Sequence, residues 1–195
     1  MNILTLKIRL VNTPLYRRAE VLDCINMIML SQVVEIVFSI YDAEQFSMGF
    51  KDKPRPGGPS GPLSRKKIKT GDVLIVGVTD SSKVTWNTEV TVEDIRPWKY
   101  KAKDYSPACI EVRYPDPMFE DDPRQNDARY LMSHWDEYMA DNNMPKDTDD
   151  FTEELQEYRR QLYPSDGRPL KENPHGAKII RPVRVDFTHE SVNYY

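Results

Sequence analysis

An α+β fold, a mainly antiparallel sheet of about five strands with one packed N-terminal helix, is the expectation from three observations. Alternating or strand-like runs cluster in residues 1–115, an apolar stretch of helical period follows the first of them, and the sequence directly beyond 115 turns acidic and helical in period.

Ile3–Val11 (ILTLKIRLV) places Leu4, Leu6, Ile8 and Leu10 on one face and Thr5, Lys7 and Arg9 on the other, the period of a half-buried strand. Asn12-Thr13-Pro14 ends it and opens an expected helix from Leu15 to Leu30, in which Leu15, Ala19, Leu22 and Met29 recur near helical spacing beside Val21, Ile25 and Ile28. Val33–Ile40 (VVEIVFSI) is β-branched and reads as a second strand, making the opening β-α-β. Were those strands neighbours, a right-handed parallel crossover would follow.

The stretch 51–70 is of low complexity, with Pro54, Pro56, Pro59 and Pro62 and three glycines set among seven Lys+Arg and one acid, Asp52. It reads as a solvated loop. Its cations suit phosphates or an acidic protein, and its PxxP spacings are compatible with a polyproline II segment. Asp72–Thr79 is apolar on both faces, as a central strand should be, and Val84–Val92 puts Val84, Trp86, Thr88, Val90 and Val92 on one side. The turn Asp80–Lys83 joins the two as a hairpin. Ala108–Tyr114 is expected to turn Ala108, Ile110, Val112 and Tyr114 inward before Pro115-Asp116-Pro117 stops it.

From Asp116 to Glu157 there are 14 acids against Arg124, Arg129 and Lys146. Two apolar stripes predict two helices: Ala128, Leu131, Met132, Trp135 and Tyr138/Met139, then Phe151, Leu155, Tyr158 and Leu162. Asp150 with Glu153 has the spacing of a capping box, and the acids before it suit a helix N-terminus. A proline-rich tether, 164–176, leads to Lys178–Phe187, where Ile179, Val183, Val185 and Phe187 alternate. Pro182 removes a ladder donor, which sends this strand to a sheet edge or to another chain. The organisation read from this is a core at 1–115 with the basic loop at 51–70, an acidic helical segment at 116–163, and a tether with an extended C-terminal arm at 164–195.

The 195 residues suffice for one good core. Hydrophobic residues make up 39% and charged residues 30%, with mean hydropathy −0.66, polar but too rich in aliphatics for wholesale disorder. Fifteen prolines against eight glycines favour stiff, extended connections. Cys24 and Cys109 lie in apolar segments and are expected to be reduced core thiols. No secretory signal pattern opens the sequence, and Glu20, Asp23 and Glu35 interrupt the apolar stretch Ala19–Ile40, so a cytoplasmic or particle-bound location is expected, with no membrane partner. Residues 1–105 hold 16 Lys+Arg against 12 Asp+Glu, whereas 106–195 hold 11 against 19, so the halves differ by sign, +4 and −8.

Lys69–Val84 (KTGDVLIVGVTDSSKV) resembles the GD-x-LIVGV-x-SD strand of cytidylyltransferases and phosphopantetheine adenylyltransferases. In those enzymes an upstream HxGH motif meets the phosphates. This chain has no histidine before His134, so the residues for that chemistry are missing. His134, Glu137 and Asp141 share a helical face at spacing that could hold a metal, but a solvated acidic face produces the same pattern. Gly57, Gly58 and Gly61 lead into no helix, which excludes a P-loop, and there is no serine nucleophile elbow. No catalytic residue, cofactor, metal or small-molecule ligand is therefore expected.

The expected function is non-enzymatic: an assembly or interaction protein, a subunit of a larger complex such as a viral or phage particle. Its alternatives are a nucleic-acid-associated regulator or DNA-mimic inhibitor, and an enzyme of unrecognised type. The interaction candidates are the basic-loop residues Lys53, Arg55, Arg65, Lys66, Lys67 and Lys69, the aromatic turn residues Trp98 and Tyr100 among lysines, and Ile179, Val183, Val185 and Phe187 of the arm. Protein partners or self-association come first, with nucleic acid as a second partner of the basic loop.

Overall fold

The computed structural model describes residues 1–11, 15–40, 42–52, 60–81, 83, 85–113, 148–163 and 178–180. Its elements are β1 (Asn2–Leu10), β2 (Tyr16–Leu22), α1 (Met27–Val37), β3 (Gln45–Phe50), β4 (Val73–Thr79), β5 (Thr85–Pro97), β6 (Ala108–Arg113), α2 (Thr148–Glu157), α3 (Arg159–Leu162) and β7 (Lys178–Ile180). The fold is mixed α+β. Six strands make one antiparallel sheet, and the short β7 adds a parallel seventh at the edge, in the order β6-β2-β1-β5-β4-β3-β7.

β1 keeps the alternation of its sequence, with Leu4, Leu6, Ile8 and Leu10 buried. The expected crossover is absent, because β1 lies between β2 and β5 and is antiparallel to both. The segment expected to begin a helix is β2 instead. Its inward positions are Arg17, Ala19 and Val21, while Tyr16, Arg18 and Glu20 face outward. Arginine in an inward slot hides a period of two. The expected strand Val33–Ile40 falls mostly within α1, all eleven residues of which are buried. Contacts with β3, β4 and α2 cover it on several sides, so no polar stripe betrays the helical period and its β-branched composition is overridden by packing.

Helix α1 is set by its cap. Asn26 accepts from the Met29 N–H at 2.9 Å and donates to the Ser60 carbonyl at 3.3 Å. The same contact contradicts the fully solvated loop. Leu63 is buried and its N–H donates to the Ile25 carbonyl at 2.7 Å, so the loop's second half is docked on the start of α1. Lys53 and Arg55, in its first half, lie outside the described residues.

β4 and β5 form the expected hairpin, with Trp86 paired to Val78 and its indole N–H donating to Asp80 at 3.0 Å. β3 (QFSMGF) has no β-branched residue and was not evident from sequence. In β6 the expected phase holds at Val112, which pairs with inward Arg17 and packs on the core, but shifts before it: Cys109 is buried and Ile110 is 45% exposed. A bulge causes this, since Arg18 pairs with Glu111 and Ala19 with Cys109, leaving Ile110 unpaired with β2.

The helical stripe Phe151, Leu155 and Leu162 is buried in the same core as the sheet, with Tyr158 partly buried beside it. α2 begins at Thr148, so Asp150 lies in its first turn and is not the N-cap that a capping box requires. The other expected stripe, with Trp135, lies outside the described residues, as does His134-Glu137-Asp141. α2 also closes the outer edge of β6: the Thr152 hydroxyl accepts from the Cys109 N–H at 2.9 Å and donates to the Cys109 carbonyl at 3.1 Å. Burial raises the Cys109 thiol to about 11, as it does the half-buried Cys24 thiol, and both are free.

Arg17 is fully buried where sheet and helices meet. Its guanidinium lies 5.2 Å from the Phe38 ring centroid and 5.3 Å from that of Phe151, and Nη1 donates to the Tyr16 carbonyl at 3.2 Å. Thr152→Val removes both edge bonds while keeping the side chain's shape. We expect a loss of roughly 1–3 kcal/mol in urea unfolding, from stranding two backbone groups beneath a helix; a loss near zero would mean water reaches that edge.

Candidate functional site

The outer face of the sheet is polar, and most of its charges are paired with one another, while Lys7 sits over the Tyr16 ring at 4.3 Å. Arg18 bridges Glu93 at 2.6 Å and also pairs with Glu111, Arg9 and Lys51 both reach Glu89, and Arg96 pairs with Glu20. Such exposed pairs contribute little stability each, but they leave a face of balanced sign.

One end of the sheet differs. Asp23, Asn2 and Pro97 lie in a row across β2, β1 and β5, with the Asp23 N–H donating to the Asn2 carbonyl at 2.9 Å and Asn2 in register with Pro97. That row spans about 10 Å. Two basic segments border it. The Ser64 N–H donates to the Asp23 carbonyl at 2.8 Å, and the Trp98 N–H to the Met1 carbonyl at 3.0 Å. The segment 60–72 runs along this end and rejoins β5 where the Gly71 N–H meets the Val92 carbonyl at 2.8 Å. The two segments that sequence singled out for their cations thus share one end of the fold.

Along segments 60–72 and 94–105, Arg65, Lys67, Lys69, Lys99, Lys101 and Lys103 are exposed, as is Arg96, which Glu20 pairs. The exposed carboxylates there are Asp94 and Asp104. Asp23 is buried and held by Asn2 at 3.0 and 2.8 Å, and Asp72 accepts from the Lys69 N–H at 2.7 Å. The adjoining helix end brings exposed Glu157 and Arg160, of opposite sign. Lys66 departs from expectation: it is buried, and desolvation lowers its pKa, so it is part of the docked turn and not a surface cation.

Trp98 and Tyr100 belong to a file of aromatic rings leading out of the core. Tyr163 meets Tyr105 at 6.1 Å, Tyr105 meets Trp98 at 5.1 Å and Trp98 meets Tyr100 at 5.1 Å, all edge to face. Tyr163 and Tyr105 are buried, Trp98 is partly buried, and Tyr100 is 67% exposed. The inner end is fixed by the Leu22 N–H donating to the Tyr163 hydroxyl at 3.0 Å. The turn itself is braced by Trp98 Nε1 on the Lys101 carbonyl at 3.3 Å and by Arg159 on the Lys103 carbonyl. Met1, Tyr100 and Ile110 are the exposed large hydrophobic residues among those described, and the first two belong to this corner. The alternation of lysine and aromatic residues signalled the corner in sequence; Tyr105, Tyr163 and Arg159 carried no such signal, because they act by holding others.

Of the arm, Lys178–Ile180 forms β7, with Ile179 opposite Phe46 of β3. Val183, Val185 and Phe187 lie outside the described residues. Among the described residues no group of His, Cys, Asp and Glu is placed to hold a metal, and no helix is long and apolar enough to cross a membrane.

One buried acid stands apart. Glu35 of α1 is 6% exposed, and burial pushes its carboxyl up to about 8. No protein-family model matches the chain, and no curated protein matches it. Among solved structures, the crystal structure of a protein of unknown function, MM3350 from Methanosarcina mazei Go1, is similar with a TM-score of 0.55 at 15% identity, over 76% of this chain and 97% of that one. The likeness concerns the fold: nearly all of that protein is this architecture, and this chain carries additional sequence around it.

A carboxyl raised from 4.5 to about 8 on folding contributes its full stability below pH 4.5 and loses it as pH rises toward 8. By pH 7 the loss is on the order of 3 kcal/mol. The stability of Glu35→Gln relative to the native chain should therefore grow between pH 5 and pH 8 in urea titrations; a difference independent of pH would show a carboxylate that stays hydrated.

Proposed function

We propose that this chain is a non-enzymatic assembly or interaction protein, a subunit that joins a larger complex by exchanging its C-terminal strand. The observation that carries this reading is β7. Three residues from the far end of the chain lie parallel to Gln45–Ser47 of β3, at the edge of a sheet whose opposite edge is closed by the Thr152 hydroxyl.

A sheet edge accepts an extended segment through main-chain bonds, whichever chain supplies it. The same bonds form equally well with β7 of a second copy, and the proline content of 164–176, with Pro164, Pro169 and Pro174, is that of a sequence expected to favour extended connections. Alternating apolar residues beyond β7 then cover a neighbour's surface. The self-neutralising outer face fits a protein that meets partners through edges and ends.

Deleting residues 178–195 should leave a cooperatively folding core by circular dichroism and abolish concentration-dependent association in light scattering. A synthetic peptide of residues 176–187 should bind the truncated chain and bind the full chain far more weakly. Unchanged association after truncation, together with no binding of the peptide, would refute strand exchange.

A further inference from the structure

We infer that the basic end of the sheet is a binding site for single-stranded nucleic acid, with Tyr100 as the base-stacking platform and the lysines around it as phosphate contacts. This is independent of strand exchange, which concerns the β3 edge.

Three observations lead to it. First, charge is concentrated where the molecule as a whole does not supply it: the chain's net charge is −4, yet Arg65, Lys67, Lys69, Lys99, Lys101 and Lys103 are exposed along one end against Asp94 and Asp104. An anion approaching an acidic protein is steered to that end. Second, an aromatic ring stands exposed in the lysine-rich turn that ends this row. Tyr100, between Lys99 and Lys101, is 67% exposed while its edge contact at 5.1 Å holds it on Trp98. A ring fixed by the core loses little freedom when a base stacks on it. Third, five of those six cations are lysine, while Arg96 at the same end is paired with Glu20. Protein interfaces favour arginine and are depleted in lysine, whereas lysine serves well as a point charge for phosphates.

The same features favour a single strand over a duplex. Paired bases hide their faces, and a protruding tyrosine on a turn can stack only on a base that is unpaired. Neither longer described helix offers a basic face for a major groove: α1 is buried all round, and α2 has Asp149 and Asp150 in its first turn and no basic residue in its last; α3, with Arg159 and Arg160, is a single turn of four residues, too short to lie in one.

The test is fluorescence anisotropy of the full chain with labelled single-stranded DNA and RNA of about 20 mixed nucleotides, at about 50 and 200 mM salt. The native protein should bind both, with affinity falling steeply between the two salts. Tyr100→Ala should weaken binding roughly 5- to 100-fold, and Tyr100→Phe should retain it. Combined Lys99→Ala, Lys101→Ala and Lys103→Ala should lower the salt slope by about 2. Near-ultraviolet circular dichroism of each variant confirms that the ring file is intact. The inference is overturned by absence of binding at the lower salt, by a Tyr100→Ala affinity equal to native, or by equal or tighter binding of polyglutamate, which would make the partner an acidic protein.

Discussion

The fold turns on a buried guanidinium. Arg17 occupies an inward position of β2, where its neighbours in register are Ile8 and Val112, and its charge lies between Phe38, which follows α1, and Phe151 on α2. Taking a guanidinium out of water costs several kcal/mol, and two desolvated ring faces with a backbone carbonyl return part of that. The return exists only when sheet, α1 and α2 are all in place. A helix from near residue 150 is thereby tied to a hairpin formed by the first 22 residues, and the core includes Phe151 and Leu155 as fully as it includes Leu4 or Val90.

The same residue explains where sequence misled. β1, β4 and β5 were legible because each buries an unbroken alternation or a fully apolar run, and α2 because Phe151, Leu155 and Leu162 keep a helical stripe against charged neighbours. β2 has the alternation too, but its inward slot at 17 holds an arginine, and the apolar remainder falls as well on a helical period. α1 failed in the opposite way: with every residue buried there is no polar side from which to read a period, and Val33, Val34, Ile36 and Val37 pull the reading toward a strand. The bulge at Ile110 shifts the phase of β6 ahead of Val112; it depends on the partner strand and has no signature in ACIEVR itself.

At the basic end, composition and position have to be separated. Lysines and aromatics drew attention to 51–70 and to Trp98–Lys103, but nothing in one sequence says that two such segments converge. Convergence is a product of topology: β1 lies between β2 and β5, so the residues that follow β2 and those that close β5 are neighbours through Asn2. Burial then sorts the cations. Lys66 turns in with Leu63 to seat the loop on α1, and the left-handed backbone of Lys67, at φ 53°, reverses the chain so that Lys67 and Lys69 stay in solvent. One run of basic residues thus divides into anchor and surface.

The aromatic file shows why such a corner can be both exposed and rigid. A lone tyrosine on a turn would sweep through its rotamers and would have to be immobilised on binding. Here Tyr163 is held by the Leu22 N–H, Tyr105 by Tyr163, Trp98 by Tyr105 and by the Lys101 carbonyl, and Tyr100 by Trp98. Each ring takes its orientation from the one beneath it, so the exposed ring inherits the order of the core. Burial raises the pKa of both Tyr105 and Tyr163 above the ordinary phenol value, as expected for inner rings with little access to water. What reaches solvent is an oriented aromatic ring set among exposed lysines, with order supplied from inside and charge from outside.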